Sequence, residues 1–330
     1  MTTLWKSSQL LAQHGQTMTT DKTIQEYVSI NGIQQYFLHI PSSGSNEVII
    51  MLHGGPGFPN SYLAYYHQPH TGFCNVVYYD QRGAGKTQLK NKTNPDSITL
   101  DTLIEDLHQT VLYIKERYST KRIFLVCHSC GSMLGTQYLM KHPCEVAGYI
   151  GYGQMVDSMV SDKCWYDYLK STVNAKGIKS DVKKLATVDE RFPNLQREDF
   201  VKSTLILTGL ESKYGFKAQD YVKLYQKSPT MTFRGLMQMV RMNMGCKMSR
   251  HLLGQVFYGQ NIRSHVEYQV PIYFILGRHD KWTSSTIAAE YFDTIRSPEK
   301  KLYWIENAGH MVDTDSPAAF FEAVKDILMQ

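Results

Sequence analysis

The residue of this sequence that is best placed to do chemistry is Ser129, in the segment 127–131, which reads Cys-His-Ser-Cys-Gly. An apolar run at 123–126 comes before it, and a segment with helical character, 132–142, comes after it. A strand, a sharp turn and a helix in this order are typical of a nucleophile elbow, whose tight turn raises one hydroxyl above the edge of a sheet. Because backbones crowd around such a turn, it needs small residues two positions before and two positions after the serine, and a cysteine and a glycine stand there.

A free serine hydroxyl is a weak nucleophile at neutral pH and needs a base. Among the 12 histidines, His310 is the predicted base, because it follows a predicted strand at 302–305 and loops at the carboxyl ends of parallel strands face one crevice. Asp280 follows the predicted strand 270–276, and we predict that it orients the imidazole and stabilises its charged form. Two alternatives remain open: His279 as the base, and a role for Asp280 as the N-cap of a helix.

The tetrahedral intermediate of acyl transfer needs two fixed N–H donors. The backbone N–H of Cys130 is the first predicted donor, because this residue follows the nucleophile in the chain. The second is the N–H of Gly55, in the segment 53–57 (His-Gly-Gly-Pro-Gly), where glycines let the backbone approach a substrate closely. A phosphate-binding loop is the alternative for this segment, but the Lys-Ser/Thr ending of such a loop is absent.

Strands and helices alternate along the first half of the chain, which predicts an α/β fold with a mainly parallel sheet flanked by helices. The predicted strands of this half are 27–30 and 33–40, joined by an Asn-Gly turn, and then 48–52, 76–79, 123–126 and 147–152. Apolar residues at helical spacing also predict a helix at 101–118.

The alternation breaks between residues 156 and 255, where no buried strand is evident apart from a doubtful one at 204–207. Strand-like segments then resume, and a final helix is predicted at 317–329. We therefore predict a first part of the core at 1–155, a helical cap at 156–255, inserted after the sixth strand, and a second part of the core at 256–330.

Several apolar residues of the predicted cap recur at helical spacing, which predicts a stripe buried in a helical core. A flexible, Met-lined substrate wall is the alternative. The residues concerned are Phe233, Met237, Val240, Met244 and Met248.

The composition is that of a globular protein, with 42% hydrophobic and 20% charged residues. Lys and Arg number 35 against 30 Asp and Glu, and the basic residues are scattered, so we expect no nucleic-acid partner. No apolar run approaches the ~20 residues that a membrane helix needs, and residues 1–20 hold no apolar signal core. We therefore expect no membrane partner and no secretion by a standard signal peptide.

The six cysteines form no tight disulfide framework, which is typical of a protein of the reducing cytoplasm. Cys127 and Cys130 have the spacing of a redox pair, but they straddle Ser129 and lie in the middle of a large protein. No second Cys/His pair has the spacing of a zinc site. We expect neither a cofactor nor a metal ion.

Five motifs in order resemble the proline iminopeptidase family of α/β-hydrolases. They are the segments 53–57, 80–85 (Asp-Gln-Arg-Gly-Ala-Gly), 127–131, 277–280 (Gly-Arg-His-Asp) and 309–310 (Gly-His). The resemblance implies an α/β-hydrolase fold and the removal of an N-terminal residue, often proline, from short peptides; some relatives cleave amino-acid amides or esters. This chain has Cys127 and Cys130 where the family elbow usually has glycine and tryptophan.

The resemblance also implies that carboxylates of the cap bind the amine of the substrate. The candidates in this segment are Asp157, Asp162, Asp167, Asp189, Glu190, Glu198, Asp199, Glu211 and Asp220.

These observations predict a serine hydrolase that works through an acyl-enzyme on a small-molecule or short-peptide substrate. An aminopeptidase of the proline iminopeptidase type is the first expectation, and a carboxylester hydrolase is the alternative. A non-catalytic ligand-binding protein on the same fold is the alternative from another class, although the sequence keeps all three members of a Ser-His-Asp triad, namely Ser129, His310 and Asp280.

Overall fold

The computed structural model of the protein describes residues 23–120, 122–193 and 197–330, without the side chains of 197 and 198. Its strands are β1 (Ile24–Ile30), β2 (Ile33–Ile40), β3 (Val48–Leu52), β4 (Asn75–Asp80), β5 (Ile123–His128), β6 (Gly148–Tyr152), β7 (Ile272–Gly277) and β8 (Lys300–Ile305). They form one sheet in the order β1-β2-β4-β3-β5-β6-β7-β8. The pairs β1–β2 and β2–β4 are antiparallel and all others are parallel, which confirms the mainly parallel sheet.

The helices lie between and around these strands. They are α1 (Ala64–His67), α2 (Gly85–Asn91), α3 (Leu100–Tyr118), α4 (Cys130–Lys141), α5 (Ser158–Lys176), α6 (Lys179–Leu185), α7 (Arg197–Tyr214), α8 (Tyr221–Lys227), α9 (Phe233–Asn243), α10 (Lys247–His251), α11 (Ser285–Thr294), α12 (Val312–Asp315) and α13 (Pro317–Leu328). Short 3-10 turns lie at Asn60–Leu63, Gln68–His70 and Pro95–Ser97, and a π-helical turn, Leu252–Phe257, follows α10. No helix within the described ranges is both long and apolar enough to cross a membrane.

The first two strands form the predicted hairpin. Asn31 and Gly32 take positive φ angles of 43° and 79° at the turn, the conformation that a two-residue hairpin turn requires. β1 begins at Ile24, earlier than predicted, and pairs with β2 along its whole length.

Helices cover both faces of the sheet and bury its apolar residues. On one face lie α3, α4 and α11, and on the other lies α13. Helix α3 begins where the Thr99 hydroxyl accepts a hydrogen bond from the Thr102 N–H at 3.0 Å, and its buried side includes Leu103 and Leu107. The predicted helix 101–118 is thus confirmed to within one residue.

After the sixth strand the described chain runs through helices α5 to α10 before it returns to the sheet at β7. We call residues 156–255 the helical insertion. The doubtful strand 204–207 is wrong, because these residues lie inside α7. The insertion has an apolar core of its own around Trp165, Leu169 and Phe192.

The predicted core stripe of the insertion is wrong for four of its five residues. Phe233 and Met244 are 78% and 76% exposed, and Met237 and Val240 are each 41% exposed, whereas only Met248 is buried. The reason is that α9 turns its opposite side, with Gly235 and Met242, towards the core of the protein. Helical spacing identified one face of the helix but not the partner of that face.

The predictions for residues 1–20 lie outside the described residues.

The carboxyl ends of β3, β5, β6, β7 and β8 meet at one edge of the sheet, and the loops that leave this edge carry the predicted site residues.

Candidate active site

Ser129 alone forms the turn between a strand and a helix. β5 ends at His128 and α4 begins at Cys130, and Ser129 has φ 52° and ψ −122°. A positive φ of this kind is unfavourable for a residue with a Cβ and persists only where the surroundings hold it. The Ser129 N–H donates to the carbonyl of Tyr152 at 3.2 Å, at the end of the neighbouring strand β6. This geometry is that of a nucleophile elbow.

Two glycines allow the backbones around Ser129 to approach closely. A Cβ at Gly131 would lie 2.6 Å from the carbonyl oxygen of Leu52, and a Cβ at Gly54 would lie 2.7 Å from Ser129 Cβ. Both distances are too short for a real side chain. The loop 53–57 after β3 and the first turn of α4 are therefore packed directly against the strand end and the serine.

Cys127 occupies the position of the missing elbow glycine and is fully buried. Its thiol fits because residue 135 on α4 is a glycine: a Cβ there would lie 2.6 Å from Cys127 Sγ and 2.9 Å from the ring of Tyr149. Burial raises the pKa of the Cys127 thiol well above its ordinary value, and burial together with Asp162 raises the pKa of Cys130 to about 12. Both thiols are therefore protonated and free, which argues against a redox pair.

His310 and Asp280 meet as the sequence predicts. His310 Nδ1 lies 3.0 Å from Asp280 Oδ2, and the Thr283 hydroxyl donates to the same oxygen at 2.7 Å. The other oxygen, Oδ1, accepts from the backbone N–H groups of Trp282 and Thr283 at 2.9 and 3.1 Å. Asp280 thus holds the imidazole and the turn that follows it. The alternative role as a helix N-cap is wrong, because α11 begins after Ser284, which is its N-cap residue.

Burial alone would raise the pKa of Asp280, but His310 and the hydrogen bonds from Thr283 outweigh it and leave the pKa below its ordinary value. Burial alone would likewise lower the pKa of His310, and Asp280, with Glu211 and Asp313, reverses this effect and raises it. Asp280 is therefore ionised, and its charge stabilises the imidazolium form of His310.

Aromatic rings fix the position of His310. Its ring centre lies 4.9 Å from that of Trp282 and 4.7 Å from that of His128. His128 Nε2 donates to the carbonyl of His310 at 3.0 Å, and burial and the neighbouring His310 lower the pKa of His128 to about 3. His128 is therefore a neutral residue that holds the backbone of His310. The alternative base, His279, is exposed and stacks on Phe216, with 4.5 Å between ring centres.

Ser129 and His310 lie on either side of the end of β6. Ser129 bonds the carbonyl of Tyr152, and a Cβ on the next residue, Gly153, would lie 3.0 Å from Cε1 of His310. No hydrogen bond joins the Ser129 hydroxyl to His310 among the described residues. Such bonds are often long without substrate and shorten when it binds.

The two predicted oxyanion donors lie next to this pair. Gly55 has φ +117°, which only glycine adopts readily, and a Cβ there would lie 2.7 Å from the ring of Phe58. Cys130 is the first residue of α4, where the helix dipole adds positive potential. Neither N–H donates to a protein oxygen within the described ranges, so both are available to a ligand.

The loop that carries Gly55 is tied to the loop after β4. The Gln81 N–H donates to His53 Nε2 at 3.1 Å, and the Gln81 side-chain amide donates to the His53 carbonyl at 2.7 Å. Burial lowers the pKa of His53 to about 4, so the ring is neutral and accepts this bond. The segments 53–57 and 80–85 therefore act as one structural unit.

Most of the candidate carboxylates of the insertion are engaged elsewhere. Asp157 pairs with Arg263, Asp167 with Lys163, Asp189 with Arg191, Glu190 with Lys170 and Asp220 with Lys223. Asp199 is exposed on the outside of the insertion, and the side chain of Glu198 is not among the described ones. Asp162 and Glu211 remain.

Glu211 connects to the histidine through two tryptophans. Trp165 Nε1 donates to Glu211 Oε2 at 2.9 Å, Trp165 stacks on Trp282 with 5.1 Å between ring centres, and Trp282 stacks on His310. Burial raises the pKa of Glu211, although the bond from Trp165 lowers it. Nothing in the sequence around Trp165 indicated these contacts, because they depend on how α5 packs on the loop after β7.

Asp162 lies close enough to Cys130 to raise the pKa of its thiol. Burial and the neighbouring Asp157 raise the pKa of Asp162 to about 7, and it forms no hydrogen bond or ion pair with another described residue. No group of three or more His, Cys, Asp or Glu side chains in the described part of the chain is arranged to hold a metal ion.

Comparisons with known proteins identify the family of the chain. A family model described as serine aminopeptidase, S33, matches residues 44–317. A Bacillus subtilis protein named "Probable aminopeptidase YbaC" is 25% identical over 303 residues, which cover 90% of this chain and 93% of that one.

Two solved structures share the fold at lower identity. A proline iminopeptidase-related protein from Thermus thermophilus superposes with a TM-score of 0.63 at 20% identity, over 93% of this chain and 98% of that one. An esterase from Exiguobacterium antarcticum superposes with a TM-score of 0.57 at 15% identity, over 93% and 100%. The sheet, the family match and these neighbours lead to one conclusion: the chain belongs to the serine aminopeptidase S33 family of α/β-hydrolases and is proline iminopeptidase-like.

Proposed function

We propose that the protein is a serine hydrolase in which Ser129, His310 and Asp280 form a catalytic triad. The observation that carries the proposal is the buried bond between His310 and Asp280 beside a serine on a strained turn. In this mechanism Ser129 Oγ attacks the carbonyl carbon of the substrate while His310 Nε2 takes the hydroxyl proton. The N–H groups of Gly55 and Cys130 hold the oxyanion that forms.

The imidazolium of His310 then gives its proton to the leaving amine, and an acyl-enzyme remains on Ser129. A water molecule, deprotonated by the same histidine, attacks the acyl carbon and releases the acid and the free serine. Asp280 stays ionised throughout, since its lowered pKa keeps it charged while the imidazolium forms.

We propose an aminopeptidase of the proline iminopeptidase type, acting on small peptides or amino-acid amides with a free amine. Glu211 and Asp162 support this proposal, because they are the carboxylates of the insertion that lie near His310 and Cys130 without a Lys or Arg partner among the described residues. A buried ammonium without an opposite charge costs several kcal/mol, so such an enzyme needs a carboxylate there. The helical insertion then acts as a cap that binds the amine.

The second candidate is a carboxylester hydrolase. The pKa of Asp162 near 7 favours it, because a carboxyl group that is partly protonated at neutral pH is a weaker ligand for an ammonium ion. Cys130 in the place of the family tryptophan also leaves a smaller side chain beside the nucleophile. A ligand-binding protein without turnover is less well supported, because its Ser129, His310 and Asp280 would serve no purpose.

A panel of matched substrates tests these proposals. A fluorophosphonate probe is expected to label Ser129, and the labelled protein is expected to lose all turnover. An amino-acid amide with a free amine should be cleaved with a kcat/KM about 10²-fold above its N-acetylated form. Equal cleavage of both forms, with fast hydrolysis of aryl esters, would replace the aminopeptidase proposal by the esterase.

We also propose a reducing compartment such as the cytoplasm. The support is chemical: all six cysteines are free, and Cys144 and Cys164 expose their thiols. Exposed free thiols are common where glutathione keeps them reduced and uncommon in oxidising compartments.

A further inference from the structure

Helix α9 presents an apolar stripe to solvent. The stripe consists of Phe233, Met237, Val240 and Met244, which are 78%, 41%, 41% and 76% exposed. At 3.6 residues per turn these four positions fall within about 60° of one another, along about 16 Å of helix. We call them the outer stripe. Large exposed apolar side chains that are contiguous, rather than scattered, mark an interaction surface.

The chain segment that contains the outer stripe carries formal charge of one sign only. Residues 221–266 contain no Asp or Glu at all. They contain seven cationic residues, Lys223, Lys227, Arg234, Arg241, Lys247, Arg250 and Arg263. On α9 itself, Arg234 and Arg241 lie on one flank of the stripe, roughly 40–60° around the helix from its edge. Both are exposed, and neither pairs with a described acid.

The cationic surface continues beyond the end of the stripe. Met244 also lines a surface cavity of ≈ 1110 Å³, whose lining includes Lys184, Lys202, Lys247 and Arg250. Two acids, Asp96 and Asp199, lie in the same wall, and Asp96 pairs with Lys247. The wall therefore has a positive net charge, since it holds four Lys or Arg side chains and two Asp side chains.

We propose that the outer stripe inserts into an anionic lipid surface and that the arginines beside it contact the lipid headgroups. An exposed apolar helix face with Lys and Arg beside it is the arrangement by which amphipathic helices lie in a membrane interface. Each Lys or Arg near an anionic bilayer adds to the attraction. This proposal is at odds with the expectation of no membrane partner, which was based on the absence of a long apolar run.

A second copy of the chain fits the stripe less well. A twofold dimer through α9 would place the arginines of one copy against the same cationic surface of the other, which is unfavourable. Four side chains also supply much less than the roughly 800 Å² per partner that a stable dimer buries.

The inner face of α9, opposite the outer stripe, contacts the loop 53–57 and the turn that holds Tyr62. A Cβ at Gly57 would collide with Met242, and a Cβ at Gly235 would lie 2.7 Å from the hydroxyl of Tyr62. The helix that carries the outer stripe therefore packs directly on the loop that holds Gly55. Lipid contact would therefore be made by α9, the same helix that packs on this loop.

Vesicle binding by the full chain tests the proposal independently of any enzymatic activity. The protein is expected to sediment with vesicles of equal parts phosphatidylglycerol and phosphatidylcholine, and much less with phosphatidylcholine alone. Raised salt should weaken this binding, because the Debye length falls from about 10 Å at 0.1 M to about 3 Å at 1 M. No sedimentation with the anionic vesicles, or equal sedimentation with both kinds, would overturn the proposal.

Matched variants localise the surface. The double change Phe233→Ser with Met244→Ser should lower the partition coefficient by roughly tenfold or more, and Arg234→Gln with Arg241→Gln by roughly tenfold. Their controls are Met329→Ser, which alters a side chain that is 75% exposed at the opposite end of the chain, and Lys176→Gln with Lys179→Gln, which removes two exposed charges elsewhere on the insertion.

The controls should bind as the unchanged protein does. Equal losses in controls and stripe variants would overturn the proposal, because net charge or general surface hydrophobicity would then explain binding. A lipid-free dimer in sedimentation velocity that disappears with the Phe233 and Met244 changes would overturn it too, and would assign the stripe to self-association.

Discussion

The carboxylates at the edge of the sheet and those of the helical insertion differ in burial and in bonding. At the sheet edge Asp280 is 3% exposed, and both of its oxygens accept hydrogen bonds from Thr283 and its neighbours. In the insertion most carboxylates form ion pairs at the surface, such as Glu190 with Lys170, where the glutamate side chain is 82% exposed. Buried and fully bonded groups hold one geometry, whereas exposed pairs contribute little to stability.

From this difference we infer that the two regions have different functions, one in the chemical step and one in substrate selection. The sheet edge fixes the groups that the proposed chemistry needs, and it does so with short loops at the ends of buried strands. The insertion departs from its own surface pattern at Asp162 and Glu211, which turn towards the site. Changes at the sheet edge should therefore affect every substrate, and changes in the insertion should discriminate between substrates.

The largest expected effect is at the sheet edge. Ser129→Ala and His310→Ala should each lower kcat by ~10³-fold or more for amides and esters alike, and the double variant should lose little more, because the residues act as one unit. Steady-state kinetics of the three variants on both substrates measures this. His279→Ala is the matched control and should keep near-normal turnover, since its ring stacks on Phe216 instead of bonding Asp280. Strictly additive losses would contradict the triad.

A smaller and selective effect is expected in the insertion. Glu211→Gln should lower kcat/KM for free-amine substrates by ~10²-fold, because it removes one partner of a buried charge pair. Hydrolysis of uncharged aryl esters should change little. Glu190→Gln is the control, an exposed carboxylate of the same insertion whose loss should leave both activities intact. A parallel loss on both substrates would mean that Glu211 supports the triad rather than the amine.

The pH dependence should separate the two regions. Ester hydrolysis should fall as the pH drops through the pKa of His310, which lies above its ordinary value of 6.5, because only the neutral imidazole accepts the serine proton. Cleavage of amino-acid amides should show a further loss as the pH drops through about 7, since only ionised Asp162 attracts the ammonium.

Profiles of log kcat/KM against pH for both substrates give this result. Asp162→Asn should abolish the additional acid limb for amides and leave the limb of His310. Identical profiles for amide and ester in the unchanged protein would remove Asp162 from the amine site.

The smallest effects on activity are expected for the two elbow cysteines. Cys130→Ala should keep activity within a few-fold, because the proposed oxyanion donor is a backbone N–H that any residue supplies. Cys127→Gly should also be tolerated, because the thiol only fills space beside Gly135. Loss of turnover with an intact fold in either variant would require a chemical role for a thiol.

Thermal and urea unfolding sharpen the packing argument. Gly135→Ala should lower the free energy of unfolding by roughly 1–3 kcal/mol, because its Cβ would overlap Cys127 Sγ and the ring of Tyr149. Adding Cys127→Gly should recover part of this loss and not all of it, since the overlap with Tyr149 remains. No recovery would show that the thiol is not what limits the space at residue 135.

Much of the sheet edge could be predicted from local sequence. The elbow, the hairpin turn at 31–32 and helix α3 follow from apolar spacing, turn residues and caps, which act over a few residues. The pairing of His310 with Asp280 also followed, because strand order places both loops at one edge. Thr283 and Gly153 were missed; the spacing from Asp280 to Thr283 resembles a capped turn and was the available signal.

The sequence by itself determined that this chain forms a mainly parallel α/β sheet with a helical insertion after the sixth strand, and it determined the residues that the loops of the sheet edge carry. Only the tertiary structure decided which insertion carboxylates turn inward, why a cysteine fits at residue 127, and that the stripe from Phe233 to Met244 faces solvent. The physical reason is the distance along the chain over which each kind of interaction acts. Turns, caps and strand periodicity depend on neighbours in the chain, but a helical period of 3.6 residues describes a face without naming its partner. That partner is set by packing between distant segments, here Gly57 and Tyr62 against the inner side of α9.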